Sequence, residues 1–201
     1  MTTDNGSAVN ETPDEANDTP DEANETPDEA NETPDEANDT PDEDVLPAIP
    51  VSAGALIFDR SGRLLILKPT YKSGWTIPGG VMEADGESPW EACRREVAEE
   101  CGLDVATGRL VCMDFRRPRP GNQGGIRYLF DCGAFSDASL AGIVVQPEEI
   151  SEYRLAELST ALTLLRKPIR RRVRAATRGR RLRYLEDGLP VPAVGRPRAG
   201  R

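Results

Sequence analysis

Apolar positions along the chain fall into short runs separated by turn signals, and these runs begin only after residue 45. Val51 to Phe58 is a β-like run, and Asp59-Arg60-Ser61-Gly62 turns it into a second one, Leu64 to Leu67, so the pair predicts a hairpin. Leu110-Val111-Cys112-Met113 and Ile126-Arg127-Tyr128-Leu129-Phe130 flank the loop from Arg116 to Gly125 and predict a second hairpin with a long tip. Between the hairpins, Ser88 followed three residues later by Glu91 makes a capping box, Pro89 takes the first helical position, and Gly102 stands just past the end. A helix over 89–101 follows. Leu155, Leu158, Leu162 and Leu165 recur at three- and four-residue spacing and predict an amphipathic helix near residue 160. Mixed strands with helices among them read as an α/β domain.

Charge divides the same chain in three. Residues 1–45 carry a balance of −17, residues 46–165 of −4, and residues 166–201 of +11. Only the middle stretch has the apolar content of a single globular domain. The first part repeats Glu11-Thr12-Pro13-Asp14-Glu15-Ala16-Asn17 from Asp18, Glu25, Glu32 and, truncated, Asp39. Each unit has one alanine and a proline that breaks a helix, so the period is not that of a coiled coil, and the segment reads as a disordered, solvating acidic tail. Residues 166–201 read as a basic tail, partly helical or disordered. Nucleic-acid binding by that tail is disfavoured, because Tyr184 is its single aromatic residue and its charge can pair with the chain's own acidic repeats.

The N-terminus has no basic region before an apolar run, and no stretch reaches 18 consecutive apolar residues, so neither a standard secretion signal nor a membrane span is expected. Cys93, Cys101, Cys112 and Cys132 have no Cys-x-x-Cys spacing, and the chain has no histidine. They read as small apolar residues of a cytoplasmic protein, not as a zinc site.

Chemistry concentrates between residues 79 and 103. Glu96 precedes Glu99 by three residues and Glu100 by four, so at ~3.6 residues per turn the three carboxylates crowd one side of the helix. An acidic helix laced with arginines is most often a solvated face, with pairs such as Arg95 and Glu99 four residues apart. Here, however, Gly79-Gly80 and Glu87 lead into the helix, and hard oxygen ligands in a cluster suit Mg²⁺ or Mn²⁺.

This run resembles the Nudix box of the Nudix hydrolases. From Glu87 onward the match is complete: seven residues lead to Arg95, and Glu96, Val97, Glu99, Glu100, Gly102 and Leu103 fall on the pattern in turn. Before Glu87 it departs, since six residues instead of five follow Gly80, as though Asp85 were inserted. The resemblance implies an α/β/α sandwich with a mixed sheet and metal-dependent attack of water on a nucleoside diphosphate linked to another group, with Mg²⁺ or Mn²⁺ as cofactor. It implies Glu99 and Glu100 as principal metal ligands, Glu96 and Glu87 completing the cluster, Arg95 orienting the carboxylates, and Gly79 and Gly80 letting backbone approach metal and phosphate. The general base is a box glutamate or one of Glu148-Glu149. Arg116, Arg117 and Arg119 are either phosphate-binding or solvated arginines of a hairpin tip. A Nudix-like module that senses a nucleotide-derived ligand without turnover is the alternative, and a homodimer is compatible with either reading.

Overall fold

Asp59 closes the first hairpin. Its carboxylate accepts the N–H groups of Ser61 (2.9 Å) and Arg63 (2.8 Å), turning β1 (Val51–Asp59) back into β2 (Leu64–Pro69). The computed structural model describes residues 48–194. The acidic repeats over 1–45 and the last seven residues of the basic segment lie outside the described residues, as do the expectations attached to them. Ala53–Ile57 and Leu64–Leu67 are buried without a break, the pattern of strands covered on both faces.

β1 also pairs antiparallel with β3 (Gly79–Val81) and parallel with β5 (Gly125–Phe135), which forms the second hairpin with β4 (Arg109–Arg116). With β6 (Ile150–Ala156), β7 (Arg183–Glu186) and β8 (Leu189–Pro190), the sheet runs β6-β2-β1-β5-β4-β7-β8, and β3 joins β1 off that path. Helix α1 (Pro89–Cys101) covers one face, packing Ala92, Cys93, Val97 and Cys101 against Ala55, Ile57, Leu65 and Leu67. A short helix, α2 (Asp137–Ala141), follows β5. On the other face α3 (Leu158–Leu164) and α4 (Lys167–Ala176) bring Ala161, Ile169 and Val173 onto Leu56, Leu64, Ile66 and Leu129. The result is an α/β/α sandwich around a mixed sheet.

Two expectations need correction. Leu155 belongs to β6, opposite Leu65 of β2, so only the short α3 is helical, and Glu148-Glu149 lie just before β6. A strand that alternates through Tyr153 and Leu155 before a helix beginning at Leu158 mimics a single helical spacing. The domain also extends past residue 165. In α4 the buried residues Ile169, Val173 and Ala176 recur at four and three, an apolar seam inside a run dominated by arginine, and β7 pairs parallel with β4. Arginines can cover such a helix without disturbing the seam, because their stems lie along apolar surface while the heads reach water.

All four cysteines are free, with Cys93, Cys101 and Cys112 buried. Among the described residues no helix is long and apolar enough to cross a membrane.

Candidate functional site

Local chemistry sets α1 first. Ser88 accepts the Glu91 N–H (3.3 Å) and Glu91 in turn accepts the Ser88 N–H (2.8 Å), while Gly102, at φ 67°, ends the helix in the left-handed region. The extra residue before Glu87 is absorbed in the loop, where Asp85 accepts the Glu87 N–H (3.1 Å) and Gly86, at φ 98°, has open space around its Cα. Glu87 therefore still reaches the helix.

At its centre lies Arg95. Its guanidinium bonds Glu87 with two N–H groups (2.8 and 3.1 Å), Glu96 (3.1 Å), Glu99 (3.0 Å) and the carbonyl of Val81 (3.0 Å). All five donors of the side chain are used. One arginine thus serves three of four neighbouring carboxylates, and the fourth, Glu100, is buried with 5% exposure and accepts the Gly79 N–H at 2.7 Å.

β3 is pressed so closely on β1 and α1 that neither of its glycines has room for a side chain. A Cβ on Gly79 would stand 2.3 Å from the Ala53 carbonyl oxygen, and one on Gly80 would stand 2.1 Å from the Glu96 carboxylate. Gly79 also holds φ at 140°.

The electrostatics follow from that crowding. Burial, with Glu96, Glu149 and Glu99 nearby, pushes the Glu100 carboxyl up to about 8 against the opposing Gly79 hydrogen bond. Burial likewise raises Glu96, offset in part by Arg95. Glu87 lies below the ordinary carboxylate range because Arg95 and the Glu83 N–H bond its charged form. Among the described residues no three acidic side chains converge on one point at ligating distance, and the Arg95 guanidinium occupies the middle of the cluster. The donor set nevertheless fits a hard divalent cation, being all oxygen and, once a cation displaces the Glu100 proton, carrying three negative charges more than its arginine cancels.

A pH dependence results. Because the folded state holds the Glu100 proton above the ordinary carboxylate value of 4.5, the fold binds more protons than the unfolded chain across pH ~4.5 to ~8, and stability falls as pH rises through that window. In metal-free buffer the melting temperature should drop between about pH 5 and pH 8, and Glu100→Gln should remove most of the drop; an equal drop in that variant would contradict the assignment.

Glu100, Gly79 and Gly80 also line a cavity of about 280 Å³. Its other walls carry Arg127 of β5 and Arg166 and Arg172 of the α4 segment, residues that the sequence reading missed. The arginines expected there sit elsewhere: Arg117 pairs with Glu186 and Asp187 and Arg119 with Asp187 (3.1 Å), and neither lines the cavity. Arg116, half-buried, acts only at longer range on Asp114, Arg127 and Arg172. Glu149 comes from a separate element: Thr70 donates its N–H (2.8 Å) and hydroxyl (3.2 Å) to the Glu149 carbonyl, and the Glu149 charge is felt by Glu96 and Glu100.

A family-wide sequence model described as the NUDIX domain matches residues 48–176. A MutT-like protein of Streptomyces ambofaciens is 32% identical over 118 residues, covering 56% of this chain and 73% of the relative. An isopentenyl-diphosphate Delta-isomerase of Clavibacter michiganensis is 29% identical over 112 residues, and the chain spans 57% of that protein's length. The crystal structure of the MutT protein from Methanosarcina mazei superposes with a TM-score of 0.55 and 26% identity, covering 64% of this chain and 93% of the other.

Proposed function

Because the chain belongs to the NUDIX domain family over residues 48–176, we propose that it hydrolyses a phosphoanhydride in a nucleoside diphosphate linked to another group, with Mg²⁺ or Mn²⁺ and an attacking water. The observation that supports this most is a cluster of four carboxylates, three of them bound by one arginine and the fourth, Glu100, lining a cavity whose other walls carry arginines. Glu99 and Glu100 would hold the ion, with Glu96 and Glu87 completing the set. Bound there, a divalent ion neutralises charge on phosphate oxygens and makes water a better nucleophile.

The chain's own residues do the rest. Arg95 keeps Glu87, Glu96 and Glu99 in register, and the Gly79 amide fixes the Glu100 carboxylate. Gly80 lets the Glu96 carboxylate lie against backbone. Glu149 is the general base of this reading, a carboxylate from outside the helix whose charge bears on both Glu96 and Glu100. Glu149→Gln should lower kcat by about 10²- to 10⁴-fold with KM changed less than about threefold; an effect confined to KM would make Glu149 a binding residue instead. Four free thiols support a cytoplasmic setting.

The reading is tested with nucleoside triphosphates, ADP-ribose, dinucleotides and nucleotide sugars, each with Mg²⁺ and with Mn²⁺, by release of phosphate-containing products. Binding of one of these without any turnover would favour the sensor. Isopentenyl diphosphate belongs in the same panel because of the isomerase relative, and its rearrangement with the diphosphate intact would replace the hydrolase reading.

A further inference from the structure

Four cations and one carboxylate line the cavity beside Glu100: Lys72, Arg127, Arg166 and Arg172 face Glu100 alone. Among the described residues, none of the three arginines makes a hydrogen bond to a carboxylate. Arg127 donates to the backbone carbonyls of Pro50 (3.3 Å), Ile126 (3.2 Å) and Gly124 (2.8 Å). Arg166 has its Nε buried without a hydrogen-bond partner. Arg172, with 14% of its side chain exposed, also has a buried Nη1 that makes no hydrogen bond, and the Asp114 Oδ2 nearest to it lies 3.6 Å away.

Such an arrangement is costly as it stands. Burial pushes Arg172 down to about 10, and Arg127 and Arg116 push in the same direction against the pull of Asp114. Burial likewise lowers Arg127, with Arg116 adding to it. Asp114 pairs with Arg172 at 3.6 Å, whereas Arg127 and Arg166, both half-buried, have no carboxylate partner among the described residues, and planar guanidinium forks match the oxygens of a phosphate. Arg166 and Ile169 bring the start of α4, which has no side-chain cap, to the same cavity, adding the positive end of a helix.

We propose that Arg127, Arg166 and Arg172 form a phosphate subsite separate from the carboxylate cluster, so that the substrate carries at least one phosphate beyond the diphosphate link that is cut. The subsite stands on its own geometry; only the identity of the rest of the ligand rests on the pyrophosphohydrolase reading. The additional group is either the terminal phosphoryl of a triphosphate or a phosphate monoester elsewhere on the molecule.

Calorimetry with the full chain in EDTA, titrated with inorganic phosphate and with tripolyphosphate, tests the subsite without metal or hydrolysis. Saturable binding of both is expected, weakened about tenfold or more by Arg166→Gln and by Arg172→Gln and unchanged by Arg60→Gln, at an exposed position outside the cavity. Absence of saturable binding, or equal binding by the arginine variants, overturns the proposal and assigns any phosphate affinity to arginines outside the cavity. Arg166, the residue just before α4, decides the matter alone if the Arg172 variant does not fold. With Mg²⁺, Arg166→Gln should shrink the kcat/KM preference about tenfold either for a triphosphate over a nucleotide sugar or for a dinucleotide with a 2′-phosphate over one without it, and the pair affected names the source of the phosphate. If neither preference shrinks, the substrate assignment fails. Intact phosphate binding with no hydrolysis of any compound sinks the pyrophosphohydrolase reading and leaves the subsite.

Discussion

Glu99→Gln and Glu100→Gln should each cut turnover by roughly a hundred- to ten-thousand-fold while the protein still folds. On the proposed reading each removes a charged oxygen ligand from a set already crowded by its neighbours, so the loss falls on metal binding and on stabilisation of the transition state, not on packing. A glutamine at 100 retains a carbonyl oxygen to accept the Gly79 N–H, the one hydrogen bond that holds this buried side chain. Without metal, the Glu100→Gln protein should therefore melt at or above the temperature of the parent at neutral pH, since it no longer has to take up a proton to bury an acid among other carboxylates. Steady-state kinetics with saturating Mg²⁺ and thermal unfolding in EDTA measure the two halves. Near-normal turnover in both variants would end the assignment of the metal cluster.

The second large effect separates two adjacent glycines. Gly79→Ala should destabilise the domain by about 2–4 kcal/mol, because its Cβ meets the Ala53 carbonyl oxygen at 2.3 Å and the Gly54 Cα at 2.5 Å, both backbone atoms of the central strand, at a φ of 140°. Nothing there can swing away. Gly80→Ala overlaps the Glu96 carboxylate at 2.1 Å, the far end of a flexible side chain, so folding should survive with a loss under about 1 kcal/mol while activity collapses as Glu96 is displaced. Denaturant unfolding and turnover, measured in parallel, should show a large stability loss for Gly79→Ala and, for Gly80→Ala, lost turnover in a protein of near-parental stability; equal stability losses would mean that β3 can move away from β1.

Local signals carried most of what could be read in advance. The capping box, Pro89 and Gly102 set both ends of α1 because their hydrogen bonds close within the helix itself. The two hairpins were legible from apolar runs and turn residues, since their partners are near in sequence. What escaped depended on distant partners. Arg127 looks like any exposed strand arginine until β1 and α4 wall in its surroundings, and Arg166 and Arg172 were submerged in a run of basic residues whose apolar seam, Ile169, Val173 and Ala176, is only three positions wide. Arg117 and Arg119 looked available because Glu186 and Asp187, about seventy residues later, pair with them only once β7 lies beside β4.

The parallel pairing of β7 with β4 also bears on how the protein is made. A chain emerging from the ribosome completes the carboxylate helix by residue 101, yet one face of the sheet lacks its cover until α4 has been synthesised, and the outer edge of β4 stays bare until residue 186 has emerged. Until α3 and α4 have emerged, Leu56, Leu64, Ile66 and Leu129 have no helix to pack under, and until β7 follows, an unpaired strand edge is open to other chains. The arginines of the late segment suit that interval, because they keep the last-made piece of the domain in water until its buried seam finds the sheet. Synthesis thus runs from chemistry to closure, and a nascent chain that stalls after the box is the form most exposed to self-association.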